Sequence, residues 1–157
     1  VSTASGYHRL GELEVDLMPT ESSILGFSNR WYPLAVETAQ TIVLPSGTAI
    51  RLISAPAFIA TKLVAFADRG NRDFLASHDL EDIINLIDGR PELIDEVAQS
   101  PAELRAYLAA QCRALLDTPA FHDGLQGFIV PGLPQGGQVA RVTQRLTRLA
   151  KIEESKA

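Results

Sequence analysis

Four charged side chains in the middle of the chain have the types and spacing that phosphate chemistry uses. Lys62 and Arg69 are seven residues apart, so they lie on one face of a helix. Fixed cations of this kind bind phosphate oxygens. Asp79 and Asp82 are three residues apart and project from one face of a second helix. A structural role also explains Lys62 and Asp79. Lys62 can pack its aliphatic chain at the border of a helix face with its ammonium group in water, and Asp79 lies in the first turn of a helix, where a negative charge is favoured.

Three more acidic residues alternate along an N-terminal strand. Glu12, Glu14 and Asp16 are each separated by one apolar residue, which places all three on one side of the strand. The positions of Glu12 and Glu14 are explained if this side of the strand simply faces water. Asp16 differs because it lies within the apolar run that ends the strand, just before Pro19. We therefore take Asp16 as the candidate catalytic and metal-binding carboxylate of this strand.

The loop that follows has an unusual composition. Residues 25–32 read LGFSNRWY, with two aromatic residues next to Arg30. We take Arg30, together with Arg69, as a candidate substrate-binding cation.

A histidine–aspartate pair offers an alternative chemistry. His78 and Asp79 are adjacent, as in metal-dependent phosphohydrolases, but those enzymes need further histidine and aspartate ligands. The other histidines are His8 and His122, and neither has a matching context. This reading is the least favoured of those considered.

The C-terminal helix carries a basic stripe. Arg141, Arg145 and Arg148 have the spacing i, i+4, i+7. Such a stripe can contact RNA or a partner protein, and it can equally pair with acidic residues of the same chain. We expect the second, because the chain as a whole has a net charge of −5.

The spacing of apolar residues predicts the secondary structure that positions these side chains, and it changes from strand-like to helical along the chain. Alternation predicts one strand over residues 7–18, a loop over 20–33 and a hairpin with strands at 41–44 and 49–54. Helical spacing predicts helices from Pro56 to Gly70, from Ser77 to residue 88, from a capping box at residues 100–103 to residue 116, and from Thr118. Residues 131–137 read as a surface loop or hinge before a last helix. The fold class is α+β: a partial sheet over residues 1–54, then helices over 55–157, packed as one domain.

Bulk composition excludes several classes of protein. The 157 residues are 46% hydrophobic and 21% charged, with no uncharged apolar run of membrane-spanning length. The N-terminal residues lack the pattern of a signal peptide. The single cysteine, Cys112, falls in an apolar helical pattern and is expected in the core. We expect a cytoplasmic protein with no membrane partner.

Taken in order, these segments resemble the AbiEii-type nucleotidyltransferases, a bacterial group that includes toxins of toxin–antitoxin systems. Residues 62–65, KLVA, match the family's Lys-Leu-x-Ala helix, and residues 79–82, DLED, match its Asp-x-x-Asp helix. Residues 15–19, VDLMP, look like the strand that supplies the third carboxylate in the wider superfamily. The resemblance covers residues 15–90 and implies a small mixed sheet of the nucleotidyltransferase kind followed by a helical bundle.

The resemblance also implies a function and roles. A nucleotidyl group would move from a nucleoside triphosphate to an acceptor hydroxyl, the acceptor being RNA, a protein or a small molecule, and an antitoxin is an implied partner. Asp16 would activate the hydroxyl or help to hold a metal, Lys62 would contact nucleotide phosphates, and Asp79 and Asp82 would fix Lys62 or complete the site.

One part of the family pattern is absent before Val15. The Gly-Ser pair and the Asp-x-Asp strand, whose carboxylates bind Mg²⁺ in this superfamily, have no counterpart in residues 1–14. Mg²⁺ is therefore implied only together with upstream carboxylates, and the chain as it stands is expected to be weakly active or inactive, as a truncated or degenerate member. The alternative is a non-catalytic interaction module that retains the same fold.

Overall fold

The computed structural model describes residues 7–10, 13–16, 29–69, 73–128 and 135–152, and the side chains of residues 7–16, 69, 135 and 136 lie outside that description. The strands are β1 (Tyr7–Leu10), β2 (Leu13–Asp16), β3 (Gln40–Val43) and β4 (Ala49–Leu52). The helices are α1 (Tyr32–Glu37), α2 (Ala55–Arg69), α3 (His78–Gly89), α4 (Leu93–Gln99), α5 (Ala102–Leu116), α6 (Pro119–Leu125) and α7 (Gln135–Ala150), and a 3-10 turn follows α6 at Gln126–Phe128. The described residues thus form an α+β protein in which helices predominate.

The N-terminal strand is in fact two strands. β1 and β2 pair antiparallel, with Tyr7 opposite Asp16 and Leu10 opposite Leu13. The prediction of a single strand over residues 7–18 is therefore wrong. Clear alternation of apolar and polar residues runs only from Glu12 to Leu17, whereas residues 7–10 read YHRL, so the period gave no support for one continuous strand. Asp16 ends β2, whereas Glu12, Leu17 and Pro19 lie outside the described residues.

The second hairpin agrees with its prediction. β3 and β4 pair antiparallel, with Ile42 opposite Ile50, and the turn between them includes Gly47 at φ 83°. That φ value suits glycine, which has no Cβ to clash. The two hairpins are separate sheets, and every strand pair among the described residues is antiparallel, so the predicted mixed sheet is not observed there.

A short helix before this hairpin was missed by the sequence reasoning. α1 begins inside the loop predicted over residues 20–33 and continues over residues 34–37, for which no element was predicted; at six residues it is too short to show a clear period. Tertiary contacts hold it in place. The Arg51 guanidinium of β4 donates to the Val36 carbonyl at 2.6 Å and to the Ala39 carbonyl at 3.3 Å. A cation is favoured at a helix C-terminus, so β4 stabilises the end of α1.

The core lies among α2, α3, α5 and α7, and it confirms the predicted helix faces. The four apolar residues spaced i, i+3, i+4, i+7 on α3 are all buried, as are three from α7; they are Leu80, Ile83, Ile84, Ile87, Val142, Leu146 and Leu149. Cys112 of α5 is also buried, as predicted, and burial raises the pKa of its thiol to about 12. No helix within the described ranges combines the length and apolar character of a membrane span.

The predicted capping box before α5 does not form. The Ser100 hydroxyl donates instead to the Glu96 carbonyl at 2.8 Å, and Pro101 takes the N-cap position without a side-chain bond. The reason is α4, which ends at Gln99 and was not predicted. The backbone carbonyls in the last turn of α4 have no hydrogen-bond partner within the helix. The Glu96 carbonyl therefore accepts from the Ser100 hydroxyl, which a capping box would use at the start of α5.

The last helix begins earlier than predicted. α7 starts at Gln135, so its first turn includes Gly136 and Gly137, which were assigned to the surface loop. Glycine costs about 1 kcal/mol within a helix, but burial of an apolar helix face outweighs that cost. The remaining loop residues, 131–134, lie outside the described part of the chain.

Two arginines of the basic stripe bind the end of α3. Arg141 forms a two-pronged ion pair with Asp88, at 2.6 and 3.0 Å, and Gln138 donates to the same carboxylate at 2.9 Å. Arg145 donates to the Ile87 carbonyl at 2.6 Å and also to the Asp88 carbonyl. The predicted pairing with an acidic residue is therefore confirmed for Arg141, whereas Arg145 binds backbone carbonyls at the same helix end.

This contact gives a prediction for stability. The Arg141 guanidinium holds the pKa of Asp88 below its usual range, so the ionised carboxylate stabilises the folded state. Asp88→Asn should lower the midpoint of thermal unfolding at pH 7. The stabilisation is present above the unfolded pKa of about 4 and is lost as pH falls through the lower folded pKa. The wild-type and variant midpoints should therefore converge in acid, and Asp123→Asn, at an exposed position of α6, should show no such effect at any pH. A midpoint difference that persists at low pH would contradict this.

Candidate functional site

The two charged motifs meet where α2 and α3 lie side by side. The Lys62 ammonium is 3.1 Å from an Asp79 carboxylate oxygen and 2.7 Å from an Asp82 carboxylate oxygen. Because the buried face of α3 fixes its rotation, the acidic pair at the border of that face points toward α2. The Ser77 hydroxyl begins α3 by accepting from the Leu80 amide at 3.3 Å. We call Lys62, Asp79 and Asp82 the charged triad.

Burial and charge distinguish the members of the triad. The exposed fractions of the Lys62, Asp79 and Asp82 side chains are 27%, 16% and 46%. Burial alone lowers the pKa of Lys62, but hydrogen bonds to Asp82 and Asp79 outweigh it and raise the pKa above its usual range. Lys62 is therefore charged at neutral pH. An ammonium group has three N–H donors, and the two carboxylates engage two of them.

A half-buried aromatic ring lies beside the triad. The Lys62 ammonium is 5.6 Å from the centre of the Phe58 ring, one helical turn earlier on α2. A cation at this distance is attracted to the ring. Phe58 therefore connects the charged triad to the apolar surface next to it.

Arg30 is held against two aromatic rings. Its guanidinium carbon is 4.8 Å from the centre of the Trp31 ring and 4.4 Å from that of Tyr107, on α5. The neighbouring Asn29 amide donates to the Thr61 carbonyl at 2.7 Å. The segment that carries Arg30 is thus anchored to α2 at the residue before Lys62.

The other predicted site residues fall outside what the structure describes in side-chain detail. Asp16 ends β2 and Arg69 ends α2, but neither side chain lies within the described atoms. The structure therefore brings together Lys62, Asp79 and Asp82, holds Arg30 against Trp31 and Tyr107, and leaves the roles of Asp16 and Arg69 as predictions.

The phosphohydrolase alternative finds little support at His78. Its side chain is 95% exposed, and its Nδ1 atom is 3.3 Å from a Glu81 carboxylate oxygen. Among the residues the structure describes, no three His, Cys, Asp or Glu side chains cluster as metal ligands would.

Mg²⁺ does not fit the charged triad as it stands. This ion takes six oxygen ligands in a near-octahedral arrangement. The carboxylates of Asp79 and Asp82 converge instead on the Lys62 ammonium, which occupies the position a metal would take. A magnesium site would thus need carboxylates other than those that the structure describes here.

A cavity of about 350 Å³ lies beside Phe58, the ring that the Lys62 ammonium faces. It lies between one face of the β3–β4 hairpin and helices α2, α3 and α4, and we call it the hairpin cleft. Its apolar lining includes Ile42, Leu52, Phe58 and Leu86, and its far end holds Arg90 and Glu96. These last two form a two-pronged ion pair at 2.7 and 2.6 Å.

Sequence reasoning missed this cleft, although part of its signal was present. Asp79, Asp82, Leu86 and Arg90 follow at i, i+3, i+7 and i+11, which is one stripe along α3. The stripe could have been read from the sequence. The opposite wall comes from the hairpin and α4, whose approach depends on tertiary packing.

Comparison with known proteins gives no relative: no protein-family model, no curated protein and no solved structure matches the chain.

Proposed function

We propose that this chain belongs to a nucleotidyltransferase-like protein that moves a nucleotidyl group from a nucleoside triphosphate to an acceptor hydroxyl. The observation that supports the proposal most strongly is the charged triad. Its members come from the two helical motifs on which the AbiEii-type resemblance rests. Asp79 follows Lys62 by 17 positions, so the two motifs are not close in sequence. If the resemblance were no more than two short sequence matches, nothing would require the side chains of the two motifs to meet in the fold.

The triad suggests how Lys62 would act. Asp79 and Asp82 are positioning residues: they hold the ammonium in one place, so less conformational entropy is lost when a phosphate oxygen binds. The third N–H donor of Lys62 is the one that would bind that oxygen. Arg30, stacked on two rings, is a second fixed cation for the substrate.

In the proposed reaction the acceptor hydroxyl oxygen attacks the α-phosphorus of the triphosphate. The bond from that phosphorus to the bridging oxygen breaks, and pyrophosphate leaves. Asp16 takes the proton of the hydroxyl as general base. Arrangement of the reactants and electrostatic stabilisation of the phosphoryl oxygens supply most of the rate in such reactions.

The test is direct measurement of nucleotide binding and transfer. Non-hydrolysable analogues of ATP, GTP, CTP and UTP are titrated by calorimetry with Mg²⁺ present, and each α-labelled triphosphate is then incubated with the protein, alone and with bulk tRNA. In a full-length protein that supplies the upstream carboxylates, we expect binding of at least one analogue and labelling of protein or tRNA, with labelling lost in Asp16→Ala. Residues 1–157 alone should label weakly or not at all. Glu37→Ala, an exposed substitution at the end of α1, serves as the control and should retain labelling. Failure of all four analogues to bind would contradict the proposal.

A non-catalytic interaction module is the second candidate, and the β3–β4 hairpin favours it. Val43 is 69% exposed, Leu52 51% and Ile50 37%, which is high for large apolar side chains on a short sheet. A two-stranded hairpin is marginally stable alone, so another surface packed against it would stabilise it. Absence of nucleotide binding in the calorimetric test would favour this candidate.

A further inference from the structure

The hairpin cleft has the size and lining of a small-molecule site. Its volume of about 350 Å³ falls in the range of roughly 300–1,000 Å³ that is usual for ligand pockets. The hairpin turns Gln40, Ile42 and Leu52 toward the cleft, because residues two apart on a strand share a face and Leu52 lies opposite Gln40. Phe58 of α2 and Leu86 of α3 line it from the other side.

The apolar part of the cleft is open to water. Phe58 and Leu86 are only half-buried, and Leu52 on the hairpin is 51% exposed. A ligand that displaces water from such side chains gains free energy in proportion to the apolar area that it covers. An apolar, ring-sized body therefore fits this part of the cleft.

The charged side chains of the cleft cancel each other. Of the described residues that line it, only Arg90 and Glu96 are charged, and their two-pronged ion pair engages both carboxylate oxygens. Lys62 does not line the cleft, and its ammonium already takes the position over the Phe58 ring that a ligand cation would use. A charged ligand would lose hydration without gaining an oppositely charged partner, so the cleft favours an uncharged one.

Two uncharged polar side chains lie together at one edge of the cleft. Gln40 and Ser54 border both this cleft and a neighbouring cavity of about 310 Å³. Within the part of the chain that the structure describes, the Gln40 amide makes no side-chain hydrogen bond, so its oxygen and its amino group can both bind a ligand. The Ser54 hydroxyl accepts from the Ala57 amide at 3.3 Å and can still donate its own proton. An amide or hydroxyl group of a ligand would pair with these side chains.

We propose that the hairpin cleft binds small uncharged molecules that combine an apolar ring with an amide or hydroxyl group. The ring lies against Leu52, Phe58 and Leu86, and the polar group bonds to Gln40 and Ser54. Only non-covalent contacts are involved. Binding of such a ligand does not depend on nucleotidyl transfer, so the test is carried out without nucleotide and its failure would leave the proposed function standing.

The test uses three probes of nearly the same shape and different charge: benzamide, benzoate and benzamidinium. Each is titrated into the protein while the methyl NMR signals of Ile42, Leu52 and Leu86 are followed. We expect saturable shifts with benzamide, and a dissociation constant at least about threefold lower than for either ion, because an ion loses hydration in the cleft without a partner. Raising the salt concentration should not weaken the binding of benzamide.

Removing one member of the ion pair should give the cleft a preference for charge. Glu96→Gln leaves the Arg90 guanidinium without its carboxylate, so benzoate should bind several-fold more tightly than to wild type. Arg90→Met should do the same for benzamidinium. The two side chains are 45% and 32% exposed, so both variants should fold. Asp95→Asn removes a carboxylate at the preceding position of α4, outside the cleft, and should keep the preference for benzamide.

Two pairs of hairpin variants separate the apolar and the polar contribution. Leu52→Ala should weaken the binding of benzamide several-fold, whereas Val43→Ala, on the opposite face of the hairpin, should leave it unchanged. Gln40→Leu should weaken the binding of benzamide but not that of toluene, which has no polar group. Thr41→Val, at the next position and facing away from the cleft, should affect neither probe. None of these four residues is buried in the core, so the variants should fold.

Three results would overturn the proposal. They are the absence of saturable shifts with benzamide, equal or tighter binding of either ion by the wild-type protein, and equal effects of Leu52→Ala and Val43→Ala.

Discussion

Replacing Lys62 with methionine is expected to reduce nucleotidyl transfer by about a hundredfold or more, the loss that typically follows removal of one fixed group that stabilises charge in a transition state. Methionine keeps the length and most of the apolar contact of the side chain but removes its charge. Lys62→Arg should retain part of the activity, because the charge remains while the planar guanidinium cannot sit between Asp79 and Asp82 in the same geometry. The measurement is the initial rate of label transfer from the triphosphate that the protein binds.

The same substitution also bears on stability, and the two effects can be separated. Without Lys62, the carboxylates of Asp79 and Asp82 repel each other, so Lys62→Met should lower the free energy of unfolding modestly, by about 1 kcal/mol. Adding Asp82→Asn should restore part of that stability but not the transfer activity. Lys151→Met, an exposed substitution of the same chemistry beyond α7, is the control. Full activity in a folded Lys62→Met variant would exclude a role for Lys62 in binding the phosphates.

Substituting Gly124 with alanine is expected to destabilise the protein by about 2–3 kcal/mol. Gly124 is buried in α6 against the backbone of Phe74. A Cβ atom there would overlap the Phe74 carbonyl oxygen and lie 3.0 Å from its carbonyl carbon and 3.2 Å from its Cβ atom. Backbone atoms cannot move aside as a flexible side chain can, so α6 or the segment before α3 must shift. The measurement is chemical denaturation with urea.

A matched control lies on α3 itself. Gly89 is the last residue of that helix, and a Cβ atom added there meets nothing within 4 Å. Gly89→Ala should therefore leave the free energy of unfolding within about 0.5 kcal/mol of wild type. Similar losses in Gly124→Ala and Gly89→Ala would indicate that backbone conformation, and not the contact with Phe74, determines the effect.

The contact with Phe74 also affects the candidate site. Phe74 packs against Phe66 of α2 and Phe121 of α6, with ring centres 5.3 and 6.4 Å apart. It lies in the segment that leads into α3, a few residues before Asp79. A shift of this segment in Gly124→Ala should therefore weaken transfer as well as stability, although Gly124 is not part of the charged triad.

Local pattern predicted the helices that have one clear apolar face. α3 is the best example, because Leu80, Ile83, Ile84 and Ile87 recur with the period of a helix and all four are buried. The β3–β4 hairpin could also be predicted from the sequence, because its turn residues separate two short apolar runs. Two short helices were not predicted: α1 and α4 are six and seven residues long and have too few turns to show a period. The seven-residue α6 was predicted, because a Thr-Pro pair marks its start.

The predictions failed where a segment with a clear local preference found a different partner in the folded structure. The pattern at residues 100–103 reads as a capping box, but the Ser100 hydroxyl is used by the end of α4. The alternation over residues 12–17 is that of a strand, but residues 7–10 form a second strand that pairs with residues 13–16. In both cases the local preference was real and a second partner decided the outcome.

By itself the sequence determined which side chains could do chemistry and which helix faces they occupy, because residue type and helical period are local properties. It determined that Lys62, Asp79 and Asp82 lie on exposed borders of amphipathic helices. Only the tertiary structure decided that the Asp79 and Asp82 carboxylates lie within 3.1 Å of the Lys62 ammonium, and that the hairpin and α4 close a cleft beside Phe58. The physical reason is that such meetings depend on how the buried faces of separate elements pack, and packing is a property of the whole core.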